Sequence, residues 1–92
     1  MVTPTHNPGD LLTRITVNPA IFGGKPIVRG HRLAVEHVLG MLAAGDTLEQ
    51  VVEAYDWLER EDVLACLEYA RRLAAHERVD EALKVKPSED AA

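Results

Sequence analysis

The order of apolar and polar residues predicts a β hairpin in the first part of the chain. Residues 14–17 alternate polar and apolar side chains, as a short strand does. Two more extended segments, residues 26–28 and 33–35, flank a turn at residues 29–32 with the sequence RGHR. Gly30 stands first in a two-residue loop, and glycine tolerates the positive φ of that position. The pattern therefore predicts a type II′ hairpin.

Three segments with a helical period of apolar residues follow the hairpin. The first begins near Val35 and ends before Gly45, a residue typical of the position after a last helical turn. The second opens with Thr47 and Gln50 at the spacing of a capping box. The third is the longest and runs to about Arg78. Their predicted apolar faces are Val35, Val38, Leu39 and Leu42; then Leu48, Val51, Val52 and Tyr55; then Val63, Leu64, Leu67, Ala70, Leu73 and Ala74.

The last two helices are joined by a short turn, and the earlier helix can pack across them, as in a helix-turn-helix unit. The sequence therefore predicts a mainly α fold with a small N-terminal β hairpin. More specifically, it predicts a three-helix, helix-turn-helix-like domain of the homeodomain-like kind, formed by residues 14–79. Residues 1–13 are expected to be a disordered N-terminal segment, and residues 80–92 a flexible acidic tail.

The small size of the chain favours self-association. Ninety-two residues make one domain, and a folded unit this small buries only about 60% of the surface of its unfolded chain. Trp57 and Leu58 fall in the predicted turn, where one chain is not expected to cover them. We expect a homodimer or a higher even oligomer. The candidate contacts with a partner or a second copy are Trp57, Leu58, Val79 and Leu83.

Charge is distributed unevenly along the chain, whose net charge is −5. Residues 1–34 carry four Lys or Arg against one Asp, whereas residues 35–92 carry six against fourteen Asp or Glu. The first part can contact a polyanion and the second a basic partner, or both can be plain solvated surface. The candidate DNA contacts are Arg14, Lys25, Arg29, His31, Arg32 and Arg60.

The start of the long helix is a poor surface for reading DNA bases. Its expected exposed positions are Glu59, Arg60, Glu61, Ala65 and Glu68, where three acids against one Arg would repel phosphates. The hairpin is therefore the better candidate for DNA contact.

No motif in the sequence predicts catalysis, a metal site or a bound cofactor. Gly23-Gly24-Lys25 lacks the spacing of a phosphate-binding loop and predicts only a flexible turn. The four histidines lack the spacing of a helical zinc site, and Cys66 has no partner cysteine. We therefore expect a protein that is not an enzyme. The single cysteine, with no signal peptide and no apolar run of about 20 residues, predicts a cytoplasmic location.

Three runs of sequence carry a family resemblance. In order, ITVNPAIFGGKPIVRGHRLAVEHVL, AAGDTLEQVVEAY and EDVLACLEYA closely resemble the domain of unknown function 433 family over about residues 14–77. Gly30 and Arg32 match the family's turn, whereas His31 stands where Thr is common. Asp56 stands where Pro usually follows the Tyr, and Glu59 replaces the usual Ser or Thr cap of the long helix.

The resemblance implies a helix-turn-helix-like fold with an N-terminal hairpin. It also implies the role of antitoxin in a type II toxin–antitoxin pair, with a PIN-like ribonuclease as the cognate toxin. The expected function is to neutralise this toxin by protein binding and to autoregulate the operon through operator DNA. The alternative is a stand-alone protein-interaction module with no DNA role.

Overall fold

A computed structural model of the protein describes residues 11–76, in which a small hairpin precedes three helices. The predicted fold class, mainly α with an N-terminal β hairpin, is confirmed. Val79 and Leu83 lie outside the described residues, as do most of the predicted N-terminal segment and all of the predicted tail. The elements are β1 (Ile15–Thr16), β2 (Ile27–Val28), α1 (Val35–Ala43), α2 (Leu48–Glu53) and α3 (Arg60–His76).

Residues 11–13, which the prediction assigned to the N-terminal segment, are among the described residues. Leu11 and Leu12 are helical and half-buried, and the N–H of Arg14 donates to the Leu11 carbonyl at 3.0 Å. These apolar side chains lie directly before β1, where they can share in burial.

The hairpin pairs β1 and β2 in antiparallel register, with Ile15 opposite Val28 and Thr16 opposite Ile27. A bridge between Ile27 and Ala34 continues the extended pairing up to the start of α1. Ile27, Val28 and Ala34 are all buried. The hairpin is therefore part of the core rather than a free arm.

The predicted hairpin turn joins β2 to the segment of Leu33 and Ala34 rather than to β1, and it lies one residue earlier than the sequence predicts. The N–H of His31 donates to the Val28 carbonyl at 2.8 Å, so Arg29 and Gly30 are the central residues. Their φ angles are 44° and 75°. Positive φ at both positions is the signature of a type I′ turn, so the predicted type II′ turn is wrong. Arg29 adopts a conformation that costs about 1–2 kcal/mol in a non-glycine residue, and the contacts of its side chain explain why it is tolerated.

Local sequence signals set the ends of the first two helices. Gly45, with φ of 111°, ends α1: its N–H donates to the Leu42 carbonyl, and the N–H of Asp46 donates to the Met41 carbonyl. These two bonds form a Schellman motif. At the start of α2, the Thr47 N–H donates to Gln50 Oε1 at 2.8 Å, and the Gln50 N–H donates to Thr47 Oγ1 at 3.1 Å. The predicted capping box is thus confirmed.

The core lies between the hairpin, α1, α2 and the first half of α3. Its helical stripe on α3 differs from the prediction, because Ala65 is fully buried whereas Leu67 and Leu73 are 42% and 45% exposed. No helix in the described range is both long and apolar enough to cross a membrane. The buried apolar residues are Ile27, Val28, Leu33, Ala34, Val35, Val38, Val51, Leu58, Val63, Ala65 and Cys66.

Helix α3 is longer than the elements that pack against it. With a rise of 1.5 Å per residue, its 17 residues span about 25 Å, whereas the nine residues of α1 span about 13 Å. Residues 71–75 are all exposed, although they cover more than one full turn. The second half of α3 therefore extends past the core that its first half helps to build.

Candidate functional site

The hairpin turn meets the first turn of α3 at the buried carboxylate of Asp62. This side chain is 0% exposed. Arg29 donates to it twice, from Nε to Oδ1 and from Nη2 to Oδ2, both at 2.9 Å. Arg14 Nη1 donates to Oδ1 at 3.0 Å, and the backbone N–H of Glu59 donates to Oδ2 at 2.8 Å. We call Arg14, Arg29, Glu59 and Asp62 the arginine–aspartate cluster.

The cluster joins four segments of the chain that are distant in sequence. Arg29 Nη2 also donates to the Trp57 carbonyl at 2.9 Å, in the turn before α3. Arg14 Nη1 donates to Glu59 Oε1 at 2.7 Å, and the Arg14 carbonyl accepts the Arg29 N–H at 2.8 Å. β1, the hairpin turn, the α2–α3 turn and α3 are thereby fixed to one another, and the three contacts of the Arg29 guanidinium hold its strained backbone in place.

The cluster remains charged at neutral pH. Burial alone would raise the pKa of the Asp62 carboxyl, but hydrogen bonds from Arg29, the Glu59 backbone and Arg14 outweigh it and lower the pKa below its ordinary value. The hydrogen bond to Glu59 raises the pKa of Arg14, and the hydrogen bond to Asp62 raises the pKa of Arg29. Asp62 accepts four hydrogen bonds and has no proton to give. Its arrangement suits holding a structure together rather than acid–base chemistry.

An aromatic stack covers one side of the same junction. The rings of His31 and Trp57 lie 3.7 Å apart between centroids and are parallel to within 4°. The guanidinium carbon of Arg29 lies 5.6 Å from the Trp57 ring centroid, within the range of a cation–π contact. The tip of the hairpin therefore packs directly on the α2–α3 turn.

This packing corrects the predicted partner contacts in the turn. Leu58 is only 5% exposed and belongs to the core, and Trp57 is half-buried under His31. The sequence placed both in an uncovered turn because it gave no indication that the hairpin tip folds over that turn. Leu58 is thus not available to a partner.

The predicted DNA contacts do not form one surface of free cations. Arg14 and Arg29 donate to Asp62, and His31 stacks on Trp57. Lys25 Nζ pairs with Glu36 at 3.1 Å, and Arg60 Nη1 pairs with Glu49 at 3.3 Å, both on the surface. Within the described residues, Arg32 is exposed and makes no hydrogen bond or ion pair through its side chain. Of the six candidates, Arg32 is the one whose charge faces solvent without an acidic neighbour in the described range.

The expected exposed face of α3 is also different from the prediction. Ala65 is fully buried, so it cannot lie on a surface that faces DNA. Glu59 and Arg60 are exposed as expected. The residue that sequence reasoning missed is Asp62, which looked like one more solvated acid in the first turn of a helix. Its position three residues after Glu59, where a side chain can cap the helix start, was the available signal.

An acidic face runs along α2 and the turns on either side of it. Residues 46–59 contain five acids and no Lys or Arg, and all five are exposed. Two of these acids have a basic neighbour, because Glu49 pairs with Arg60 and Glu59 pairs with Arg14. We call this surface the α2 acidic face; its members are Asp46, Glu49, Glu53, Asp56 and Glu59.

The described residues show no assembled catalytic or metal-binding group. Burial raises the pKa of the Cys66 thiol to about 12, and the charge of Asp62 adds to the effect, so the thiolate nucleophile is disfavoured. Within residues 11–76, no three His, Cys, Asp or Glu side chains lie together in a group that could hold a metal ion.

An apolar groove opens where α3 extends past the core. It has a volume of about 230 Å³. One wall comes from Pro26, directly before β2, and from α1, and the other comes from the second half of α3. We call it the α1–α3 groove; its lining residues are Pro26, Val35, Glu36, Leu39, Tyr69 and Leu73.

Comparison with known proteins gives a family match and one curated relative to report. The model of the family described as "Protein of unknown function (DUF433)" matches residues 15–70, more than half of the chain. Over 56 residues the chain is 39% identical to "Uncharacterized protein y4eO" of Sinorhizobium fredii (strain NBRC 101917 / NGR234). That alignment covers 61% of this chain and 25% of the relative, so the chain matches about a quarter of the relative's length. No solved structure gives a significant match.

Proposed function

This chain belongs to the DUF433 family, and we propose that it is the antitoxin of a type II toxin–antitoxin pair. It acts in the cytoplasm by binding a PIN-like ribonuclease toxin, without catalysing a reaction. The resemblance of its three sequence runs to this family supports the antitoxin role. The toxin binds a surface that lies within the described residues.

The observation that carries the proposal is the α2 acidic face. Its five exposed carboxylates lie within 14 consecutive residues that contain no Lys or Arg. A ribonuclease must bind the phosphates of RNA, which calls for a basic cleft. A surface that carries exposed carboxylates is complementary to such a cleft, and complementary charge speeds association and fixes orientation. The α2 acidic face thus competes with RNA for the basic cleft of the toxin.

Co-purification with the product of the adjacent gene tests the proposal. The full chain, untagged, is co-expressed with a tagged form of that product, and ribonuclease activity of the product is measured with and without the chain. We expect a stable complex and loss of activity. A neighbouring product with no affinity for the chain, or undiminished cleavage in the complex, would contradict the antitoxin role.

Substitutions that neutralise single carboxylates test whether the toxin binds at the α2 acidic face. Glu53→Gln and Asp56→Asn each remove one charge from the α2 acidic face without breaking an ion pair in the described structure. Glu68→Gln removes the same charge from α3, outside this face, and breaks the pairs of Glu68 with Arg71 and Arg72. Weakened toxin binding in the first two variants, with a flatter salt dependence, and unchanged binding in the third is the expected pattern.

A specific observation favours the second candidate, a protein-interaction module with no DNA role. Arg14 and Arg29 are two of the predicted phosphate contacts, but their guanidinium groups donate hydrogen bonds to Asp62. Helix α3 begins beside acids that repel phosphates. Titration of the chain with its own promoter DNA and with random DNA at several salt concentrations separates the two candidates. Binding that prefers the promoter supports autoregulation, and no binding at low salt supports the second candidate.

A further inference from the structure

We propose that the α1–α3 groove is the self-association surface of this protein, and that its occupant is α3 of a second copy. The two copies pair around a two-fold axis with their α3 helices antiparallel. Leu73 of each copy enters the groove of the other. This inference goes beyond the proposed function, because it holds whether or not a toxin is the partner.

The groove exists because of a mismatch in helix length. The core-facing side of α3 continues through Tyr69 to Leu73, one turn further along the helix. At this position along α3, Val35 and Leu39 of α1 form the opposite wall, but nothing within the described residues fills the space between the two helices. A cavity of about 150 Å³ accepts a molecule of benzene, so a groove of 230 Å³ has room for a leucine side chain.

The groove and the residue that fits it lie on the same surface. Leu73 lines the groove and is also 45% exposed. Ala74 and Ala75, the next two residues, are exposed and small, so a second helix can approach the end of α3 closely. A two-fold interface requires that one patch complement itself, because residue i contacts residue j and residue j contacts residue i. A groove beside a projecting apolar side chain meets this requirement with no other partner.

The charges at the rim are also self-complementary. Glu36, on the α1 wall, has a side chain that is 59% exposed. Arg72 stands beside Leu73 on α3, three residues after Tyr69, with a side chain that is 44% exposed. In an antiparallel pair, Glu36 of one copy faces Arg72 of the other, and the same contact recurs across the axis. Within the described residues Glu36 pairs with Lys25, whose side chain is 54% exposed, and such a surface pair exchanges at little cost. Arg72 pairs with Glu68, which Arg71 also contacts, so exchange of Arg72 does not leave Glu68 unpaired.

The oligomeric mass of the full chain tests the groove, with Leu73→Asp as the probe and Leu67→Asp as the matched control. Leu67 is 42% exposed, nearly the same as Leu73, but six residues earlier and therefore on a different side of α3. We expect light scattering to give a dimer for the unchanged chain and for Leu67→Asp. Leu73→Asp should raise the dissociation constant by at least about tenfold. Circular dichroism checks that each variant folds.

Reversal of the rim charges gives a second test that does not add a charge to the groove. Glu36→Arg and Arg72→Glu should each weaken the dimer, and the double variant should recover most of the loss, because the two charges merely exchange places. A monomeric unchanged chain at micromolar concentrations overturns the proposal. So does a dimer whose dissociation constant is unchanged in Leu73→Asp, or one that Leu67→Asp weakens as much as Leu73→Asp does.

Discussion

Arg29 and Asp62 join the tip of the hairpin to the start of α3 through two parallel hydrogen bonds of 2.9 Å. The residues are 33 positions apart in the chain. Arg29 has a φ of 44°, and Asp62 is 0% exposed, so each is in a state that is unfavourable without the other. The pair therefore ties a strained turn to a buried charge.

Asp62→Asn should destabilise the fold by about 3 kcal/mol, because it removes the buried carboxylate that pairs with Arg29 and leaves Arg14 with Glu59 alone. Urea unfolding followed by the fluorescence of Trp57, the sole tryptophan, measures the loss. The control is Glu49→Gln, which breaks the surface pair with Arg60, where Glu49 is 70% exposed. That variant should change stability by less than about 0.5 kcal/mol. Equal effects of the two substitutions would contradict the structural role of Asp62.

The stabilisation from Asp62 should disappear in acid. Its pKa in the folded protein lies below the ordinary value of 3.8, so the unfolded chain takes up the proton more readily than the folded one. The contribution is fully present above the unfolded pKa and is lost as the pH falls through the lower, folded pKa. We expect the stability difference between the unchanged chain and Asp62→Asn to be constant near neutral pH and to shrink below about pH 4. The urea unfolding midpoints of both proteins over this pH range measure the stability difference. A difference that grows in acid would contradict a lowered pKa for Asp62 in the folded protein.

Arg29→Gly should be more stable than Arg29→Ala by about 1 kcal/mol, because only glycine adopts positive φ without strain. Both variants lose the contacts with Asp62, so their difference isolates the backbone. The same two substitutions at Arg32, which does not have positive φ, should rank in the opposite order. Thermal unfolding of the four variants provides the comparison. If alanine is the better residue at position 29, the turn does not carry the backbone strain assigned to it.

Cys66 should be inert to thiol reagents in the native protein. Its side chain is fully buried, and burial raises the pKa of the thiol to about 12, so almost no thiolate exists at neutral pH. We expect modification only through unfolding, and therefore faster labelling in the destabilised Asp62→Asn variant. Ala44→Cys, at an exposed position, is the positive control. Rapid labelling of Cys66 in the stable protein would show that the core opens locally at α3.

If the chain binds its operator, Arg32→Ala should reduce the slope of log affinity against log salt by about 1, because one phosphate contact is lost. Lys25→Ala, which removes a cation that already pairs with Glu36, should have a smaller effect. Fluorescence anisotropy with promoter DNA and random DNA measures both slopes. An unchanged slope in Arg32→Ala would remove the hairpin tip from the DNA contacts.

The sequence by itself determined the features that depend on neighbouring residues. Gly45 at the end of α1 and the capping box of Thr47 and Gln50 are where the pattern predicted them, because their hydrogen bonds join atoms only a few residues apart. The three helices were predicted for the same reason, since each rests on spacing within one short segment. The family was predicted from three runs of sequence in order along residues 14–77. The pairing of β1 with β2, which joins residues about twelve positions apart, was not predicted.

Only the tertiary structure decided which charges and apolar groups are covered. Asp62 looked like a solvated acid, Leu58 like an exposed turn residue and Leu67 like part of the core, and each differs in the structure. The turn at Arg29 was misplaced because its strain is offset by a carboxylate 33 residues away. Whether a side chain is buried depends on which segments pack together and on how each helix is rotated about its axis. The spacing of apolar residues within one segment does not contain that information.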